Sequence, residues 1–471
     1  MSLPVPTVSR YRSLADSLAM VRNPVEVLSK YNEDFGDTFR FYIGGLKEAI
    51  VTTNPEVIQH VLKTNAENYQ KSDIQVKRMG HFLGKGLLTT HGEPWRTQRR
   101  LIQKGFDRRQ LDALSVIMQD SLAESMQRFD QEIANGPVDI YPQLMKMTFS
   151  MVARSLFGAR LKDEDIELVS HTICTVQEFI VRQTLQPYLN PWFAVSGELR
   201  RHEEMRAQAD SVLMSYIQQR RHSGEPGTDL LQTMMDARYS DGEGMSDELV
   251  LSESMQLLVA GHETSSNGLS WLLYLLRSNP ACLERVRQEF DSVLGDQPLG
   301  PMDMPKLEFT TQVIQEGLRL YPPFWMIDRL AVADDRVGDI EIPAGSTVIV
   351  HVYGAHHARS NWENPENFDP ERFVKGSEKL RTPFTYLPFG GGPRVCIGNH
   401  FAMLQMLMIL SNLLRNYDFD LTPGQSIEAR PMVILRPKNG IRMAFTKVKA
   451  SERQPSEVPV GHTSAATIDR T

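Results

Sequence analysis

Cys396 sits in the most distinctive stretch of the chain, Phe389-Gly390-Gly391-Gly392-Pro393-Arg394-Val395-Cys396-Ile397-Gly398, just ahead of the apolar helical run NHFAMLQMLMILSNLL. A cysteine at the start of a helix meets unpaired backbone amides and the positive end of the helix dipole, and both favour a thiolate. The glycines allow positive φ and a close approach of the backbone to a flat ligand. Amides after Cys396 can donate to its sulfur, which would tune a bound metal, and Arg394 can pair with a carboxylate. The plainer alternative is a structural cysteine after a flexible loop; the glycine spacing with Phe389 and Arg394 weighs against it.

A second constellation is Ala260-Gly261-His262-Glu263-Thr264-Ser265-Ser266-Asn267. It interrupts a run that is apolar on nearly every side, as central buried helices are. The run extends over 246–278, from an N-cap pattern at Ser246-Asp247-Glu248 to a stop before Pro280. Buried polar groups in mid-helix are costly unless satisfied. Ala260 and Thr264 share a face, so the Thr264 hydroxyl can bond back to the Ala260 carbonyl and bend the helix. With the missing side chain of Gly261, this would open a groove wide enough for a diatomic ligand. A loop joining two helices, or a polar face packed on other polar groups, would be the plainer reading of the same residues.

Two weaker signals need their context. Glu316 and Arg319 can pair on one helical face ahead of Tyr321-Pro322-Pro323. The same spacing recurs at Glu93/Arg96, Glu203/Arg206 and Glu284/Arg287, where solvated faces explain it. What distinguishes Glu316/Arg319 is the later Phe368-Asp369-Pro370-Glu371-Arg372-Phe373. Trp95 and Arg99 lie four apart in RTQRRLIQKGFDRR and its flank, a positively charged segment (96–109) on a chain of net charge -7.

The elements that must hold these residues are mainly helical. Patterns of long amphipathic helices fill about 93–222. TFRFYI (38–43) and AIVTT (49–53) around Gly44-Gly45 predict a hairpin. Strand patterns return at 346–350 and 430–446. The segment 354–395 is irregular and rich in Gly, Pro and Asn, as functional loops of that length are. We expect one catalytic domain over 1–447 and a disordered polar tail over 448–471. Of 471 residues, 41% are hydrophobic and 23% charged, enough for a large core without disulfide staples. Three widely spaced cysteines fit a reducing compartment. The net charge argues against nucleic acid as a partner. With no signal-peptide layout and no apolar N-terminal span, a cytoplasmic protein without a membrane anchor is expected.

The cysteine loop matches FxxGxRxCxG at every fixed position, and thus resembles the haem-binding signature of the cytochrome P-450 superfamily. AGHETSS resembles that family's (A/G)Gx(D/E)T(T/S) motif, and ExxR, PERF and WxxxR all find counterparts. The resemblance covers roughly 25–447. It implies the P-450 fold: a large helical body with small β-sheets, and haem between the long central helix and the helix after Cys396. It implies haem b with Cys396 as the iron ligand, a thiolate that favours O–O cleavage. Phe389 would pack beside the thiolate, and Ala260, Gly261, Ile397 and Gly398 would border the haem. Arg394, Trp95, Arg99 and Arg329 would reach its propionates, with His351 a further candidate. Glu263 and Thr264 would pass protons to bound O2. Glu316, Arg319 and Arg372 would form a buried ionic network that supports the cysteine loop.

The implied activity is insertion of one atom of O2 into an apolar small molecule, such as a fatty acid, terpenoid or steroid-like compound. Electrons would come from a ferredoxin or flavodoxin with its NAD(P)H-dependent reductase, because the chain shows no fused flavin or iron–sulfur module. The basic segment 96–109 is a candidate docking face for such an acidic donor. The pocket would draw on Leu87, Leu88, Leu257, Ala260, Phe324, Trp325 and Val433. A peroxygenase or isomerase on the same fold, or a haem sensor without catalysis, are the alternatives. Glu263-Thr264 speaks for the oxygen-using reading.

Overall fold

The computed structural model describes residues 5–448 except 159–160 and 225–226. The expected tail, 448–471, lies outside these residues apart from Val448, whose N–H donates to the Asn416 carbonyl at 2.9 Å.

A 32-residue helix, Asp247–Ser278, forms the axis of the molecule. Ser246 caps it by accepting from the Leu249 amide, and Asp247 and Glu248 complement its dipole. The polar cluster at 260–267 does not break it, so the loop alternative is excluded. It packs most extensively on the helix Ile140–Phe157, and also on Glu308–Leu320 and Asn399–Asn416. Gly261 explains one of these contacts. A Cβ there would come within 3.0 Å of Val152. The glycine therefore seats the Ile140–Phe157 helix, a correction to the expectation that it opens a ligand groove. His262 is fully buried, and its Nδ1 donates to the Leu258 carbonyl at 2.6 Å. Burial lowers its pKa to about 4, so the ring is neutral.

The predicted hairpin is Thr38–Ile43 with Lys47–Thr52, in antiparallel register Thr38 opposite Thr52. Gly44 and Gly45 at its tip have φ of 59° and 74°, as a tight hairpin turn requires. Thr347–Val350 joins the hairpin in parallel, Ile327–Ala331 follows antiparallel, and Tyr69–Gln70 closes a five-stranded sheet. The C-terminal strand pattern resolves into Ala429–Pro431, Leu435–Pro437 and Arg442–Lys447. The Leu435 carbonyl is tied to the central helix by Asn267 Nδ2 at 2.9 Å and by Trp271 Nε1 at 3.0 Å. The irregular stretch holds a short helix, Val352–His357, and 3-10 turns at Pro370–Phe373, Ser377–Lys379 and Gly392–Arg394. One large apolar core surrounds the central helix, and a second lies under the five-stranded sheet. Among the described residues no helix is long and apolar enough to cross a membrane.

Candidate active site

The cysteine loop ends one residue before the helix Asn399–Asn416, with Gly398 at the N-cap. The Cys396 amide donates to the Phe389 carbonyl at 2.9 Å and closes the loop. Gly390 and Gly392 have φ of 74° and 67°. A Cβ on Gly392 would overlap the Leu62 carbonyl, and one on Gly391 would lie 2.7 Å from the Phe384 ring. These two glycines therefore fit the loop against protein, not against a flat ligand as the sequence suggested. Phe389 and Ile397 are half-buried and pack on the main core.

Cys396 is exposed by surface area, yet enough protein surrounds it for burial to push its thiol pKa up. The Gly398 amide, which donates to the sulfur, and Arg99 oppose that rise. Dipole and amide alone thus do not make the free thiol a thiolate, contrary to the expectation from sequence. A coordinated metal deprotonates a thiol outright.

Around Cys396 the fold gathers cations from four segments. Arg99 belongs to the helix Gly92–Ile102, Arg329 to the strand Ile327–Ala331, Arg394 to the cysteine loop, and Lys71 follows the strand Tyr69–Gln70. Arg394 lies over the Trp95 ring at 4.0 Å and donates to the Thr90 carbonyl at 3.2 Å. Arg99 is 6.0 Å from the same ring. Arg329 is buried and donates to the Asp328 carbonyl. Burial, with Arg329, Arg99 and Arg96, lowers the Arg394 pKa to about 10. Burial, with Arg394 and Arg329, lowers that of Lys71 to about 7. Cations packed this way repel one another, and such a site is completed by an anion, such as the two carboxylates of a haem. Lys71 carries no motif in the sequence; only the folded strand brings it here. His351 bonds through Nδ1 with Asn32 Oδ1 at 2.9 Å, while its Nε2 is buried without a hydrogen-bond partner, and burial lowers its pKa to about 3.

Along the buried middle of the central helix, Leu257, Ala260 and Thr264 stay partly open. Their spacing places them on one face. The Thr264 hydroxyl donates to the Ala260 carbonyl at 2.9 Å, as the spacing predicts. Glu263 accepts from Gln177 Nε2 at 3.1 Å and from the Tyr141 hydroxyl at 3.4 Å. Burial raises its pKa, opposed first by Arg436. Tyr141, Gln177 and Arg436 come from distant segments and left no signal in the sequence.

Glu316 and Arg319 form a fully buried bidentate pair, at 2.7 and 2.8 Å. Arg319 also donates to the His356 and Asn367 carbonyls. Arg372 lies 3.4 Å from Glu316, which also accepts from the Asp369 amide. By contrast, the Glu93–Arg96 pair is exposed. Of the expected pocket residues, Leu87, Leu88, Leu257 and Ala260 are half-buried, and Phe324 and Val433 are exposed. Trp325 departs from them: it belongs to the core, and its indole N–H donates to the Met432 carbonyl at 3.0 Å.

This helical body and thiol-centred site belong to one class of protein. The chain matches the cytochrome P450 family over residues 14–445 and belongs to it; it is a haem monooxygenase. It is 30% identical to cytochrome P450 132 of Mycobacterium tuberculosis over 422 residues, 86% of this chain and 89% of that one. It is 29% identical to cyclooctat-9-en-7-ol 5-monooxygenase of Streptomyces melanosporofaciens over 416 residues, 88% and 89% of the two chains. The crystal structure of a cytochrome P450DA heme domain superposes with a TM-score of 0.84 at 21% identity, covering 98% of this chain and all of that one, and has the same fold.

Proposed function

We propose that Cys396 is the protein ligand of the haem iron and that Thr264 and Glu263 deliver protons for O2-dependent monooxygenation. The observation that carries this reading is Cys396, its sulfur bonded by the Gly398 amide and near Arg99, in a site where Arg394, Arg329 and Lys71 repel one another and Asp328 and Glu253 only partly offset the charge of Lys71. Arg99, Arg329, Arg394 and Lys71, with Trp95, suit the two propionates of haem b. Bound there, haem supplies the electron transfer and oxygen activation.

The chain's own groups do the rest. Glu263 holds a proton more readily than an exposed acid would, because burial raises its pKa. Thr264 already spends its hydroxyl hydrogen on Ala260. Its oxygen is therefore free to accept a hydrogen bond from a proton donor linked to Glu263, and as that proton arrives the hydroxyl hydrogen released from Ala260 is the one passed on. Apolar Leu257 and Ala260 exclude water beside it. Glu316, Arg319 and Arg372 fix the scaffold beneath the loop and take no part in chemistry.

The substrate class is an apolar small molecule. The half-buried leucines and exposed Phe324 support this, as does the relative whose name gives an unsaturated alcohol as its substrate. For electrons we infer a ferredoxin or flavodoxin served by an NAD(P)H-dependent reductase. Arg96, Arg100, Lys104, Arg108 and Arg109 are exposed on the segment that also carries Trp95 and Arg99. Cys396→Ser tests the central assignment. The reduced CO complex of the wild type should show the red-shifted Soret band of thiolate ligation, and the variant should lack it. A retained band removes Cys396 as the ligand.

A further inference from the structure

The wall of the proposed pocket at Leu87–Leu88 is held in an unusual way. Connecting segments generally leave their peptide groups to water. Here side chains from two other elements take all four. The Leu87 amide donates to Glu253 Oε2 at 3.1 Å, and the Leu88 amide to Gln256 Oε1 at 2.7 Å. From the opposite side Lys71 Nζ donates to the Leu87 carbonyl at 3.3 Å and to the Leu88 carbonyl at 2.6 Å. Gln256 Nε2 adds bonds to the Leu83 and Gly84 carbonyls and to Thr89 Oγ1.

Two glycines permit this seating. A Cβ on Gly84 would lie 2.4 Å from Ser252 Oγ, and one on Gly86 would lie 2.7 Å from the Gln256 amide. Glu253 is wholly buried on the central helix, and its second oxygen has no partner. Burying a carboxyl is costly, and core packing alone does not call for one here. Burial raises its pKa to about 7, with the Leu87 amide and Lys71 opposing. At helical spacing Glu253 precedes Leu257, Ala260 and Thr264 on one face. The face that carries the proposed chemistry thus also carries the anchor of the pocket wall, and Lys71 ties that wall to the cationic cradle.

The geometry points to Glu253, Gln256 and Lys71 as positioning residues that clamp the Leu87–Leu88 wall and set which ligand shapes the pocket admits. This rests on the reading of Leu87 as a pocket residue. The clamp makes the wall rigid. Moving either leucine breaks two part-buried hydrogen bonds at once, so selection is by fit to a fixed surface.

Azoles that bind haem iron test this in the holoenzyme without knowledge of the substrate. The Kd of imidazole, 1-phenylimidazole and clotrimazole is read from the Soret shift. Glu253→Leu and Gly86→Ala should each change the clotrimazole-to-imidazole Kd ratio by about fivefold or more, the worth of one lost hydrogen bond, with imidazole itself within about twofold. Glu253→Gln, which keeps the acceptor for Leu87, should keep the wild-type ratio. If Glu253→Leu yields no haem protein, Gly86→Ala decides alone. Leu87→Phe serves as the reference. If it shifts the ratio while the clamp variants do not, the clamp is overturned. If Leu87→Phe leaves the ratio unchanged, Leu87 is not in the pocket, and the pocket reading falls with the inference.

Discussion

Glu316→Gln removes one charge from a pair that no solvent reaches, since Glu316 and Arg319 are both 0% exposed. The variant leaves the Arg319 guanidinium buried between the His356 and Asn367 carbonyls, and leaves Arg372 with only the longer contact to Asp369, at 3.9 Å. Breaking a buried ion pair by removing one partner costs about 3–5 kcal/mol. With an unfolding entropy of about 2.1 cal/mol/K per residue, a 471-residue chain loses about one degree of Tm per kcal/mol. The expected fall is therefore about 3–5 °C in a calorimetric scan at neutral pH. Glu371→Gln is the matched control. Its pair with Arg285 has a shorter contact, 2.5 Å, but both side chains are more than half exposed, and exposed pairs contribute about 0–1 kcal/mol. Equal shifts in the two variants, or a Glu316→Gln protein melting within about one degree of wild type, would refute the argument that burial, not contact distance, sets the worth of these pairs.

Thr264→Ala should leave thermal stability nearly unchanged, because the lost hydroxyl only doubles back on its own helix; it should lower the product formed per NAD(P)H oxidised and raise peroxide release. Normal coupling would place the proton route elsewhere. Glu253 has its folded-state pKa raised from 4.5 to about 7, so the folded chain binds more protons than the unfolded one in that window. Stability should then fall as pH rises from about 4.5 to 7, by up to about 3 kcal/mol, and the slope should flatten in Glu253→Gln. Urea midpoints of both proteins from pH 5 to 8 check this, and parallel profiles would contradict it. Association with an acidic electron donor should slow steeply with added salt, and charge reversal at Arg100 and Arg109 should weaken the salt dependence; identical slopes would move the docking face off this segment.

Local patterns made much of this molecule legible. The central helix, its Ser246 cap and its stop before Pro280 were all readable, because capping and apolar runs are local. The hairpin at Gly44-Gly45 was readable for the same reason. Motif spacing pointed to Cys396, Glu316 and Arg319. What the sequence hid is what depends on a second element. Gly261 reads as an open groove until Val152 occupies the space beside it. Gly392 reads as room for a ligand until the Leu62 carbonyl is found there. Lys71, Glu253, Tyr141 and Gln177 carry no motif, and they matter only because strands, loop and helices bring them together. The free Cys396 thiol was misjudged because helix-end effects were counted and the burial around it was not.

The bond from Asn267 and Trp271 to the Leu435 carbonyl has a temporal meaning. Donor and acceptor lie 168 and 164 residues apart. While the chain is being made, two polar side chains of this helix stay without their acceptor until Leu435 has left the ribosome. Closing so distant a contact is slow and late. Completion of the interior therefore waits on the C-terminal strands, and a chain cut short before Leu435 would keep an unsettled axis.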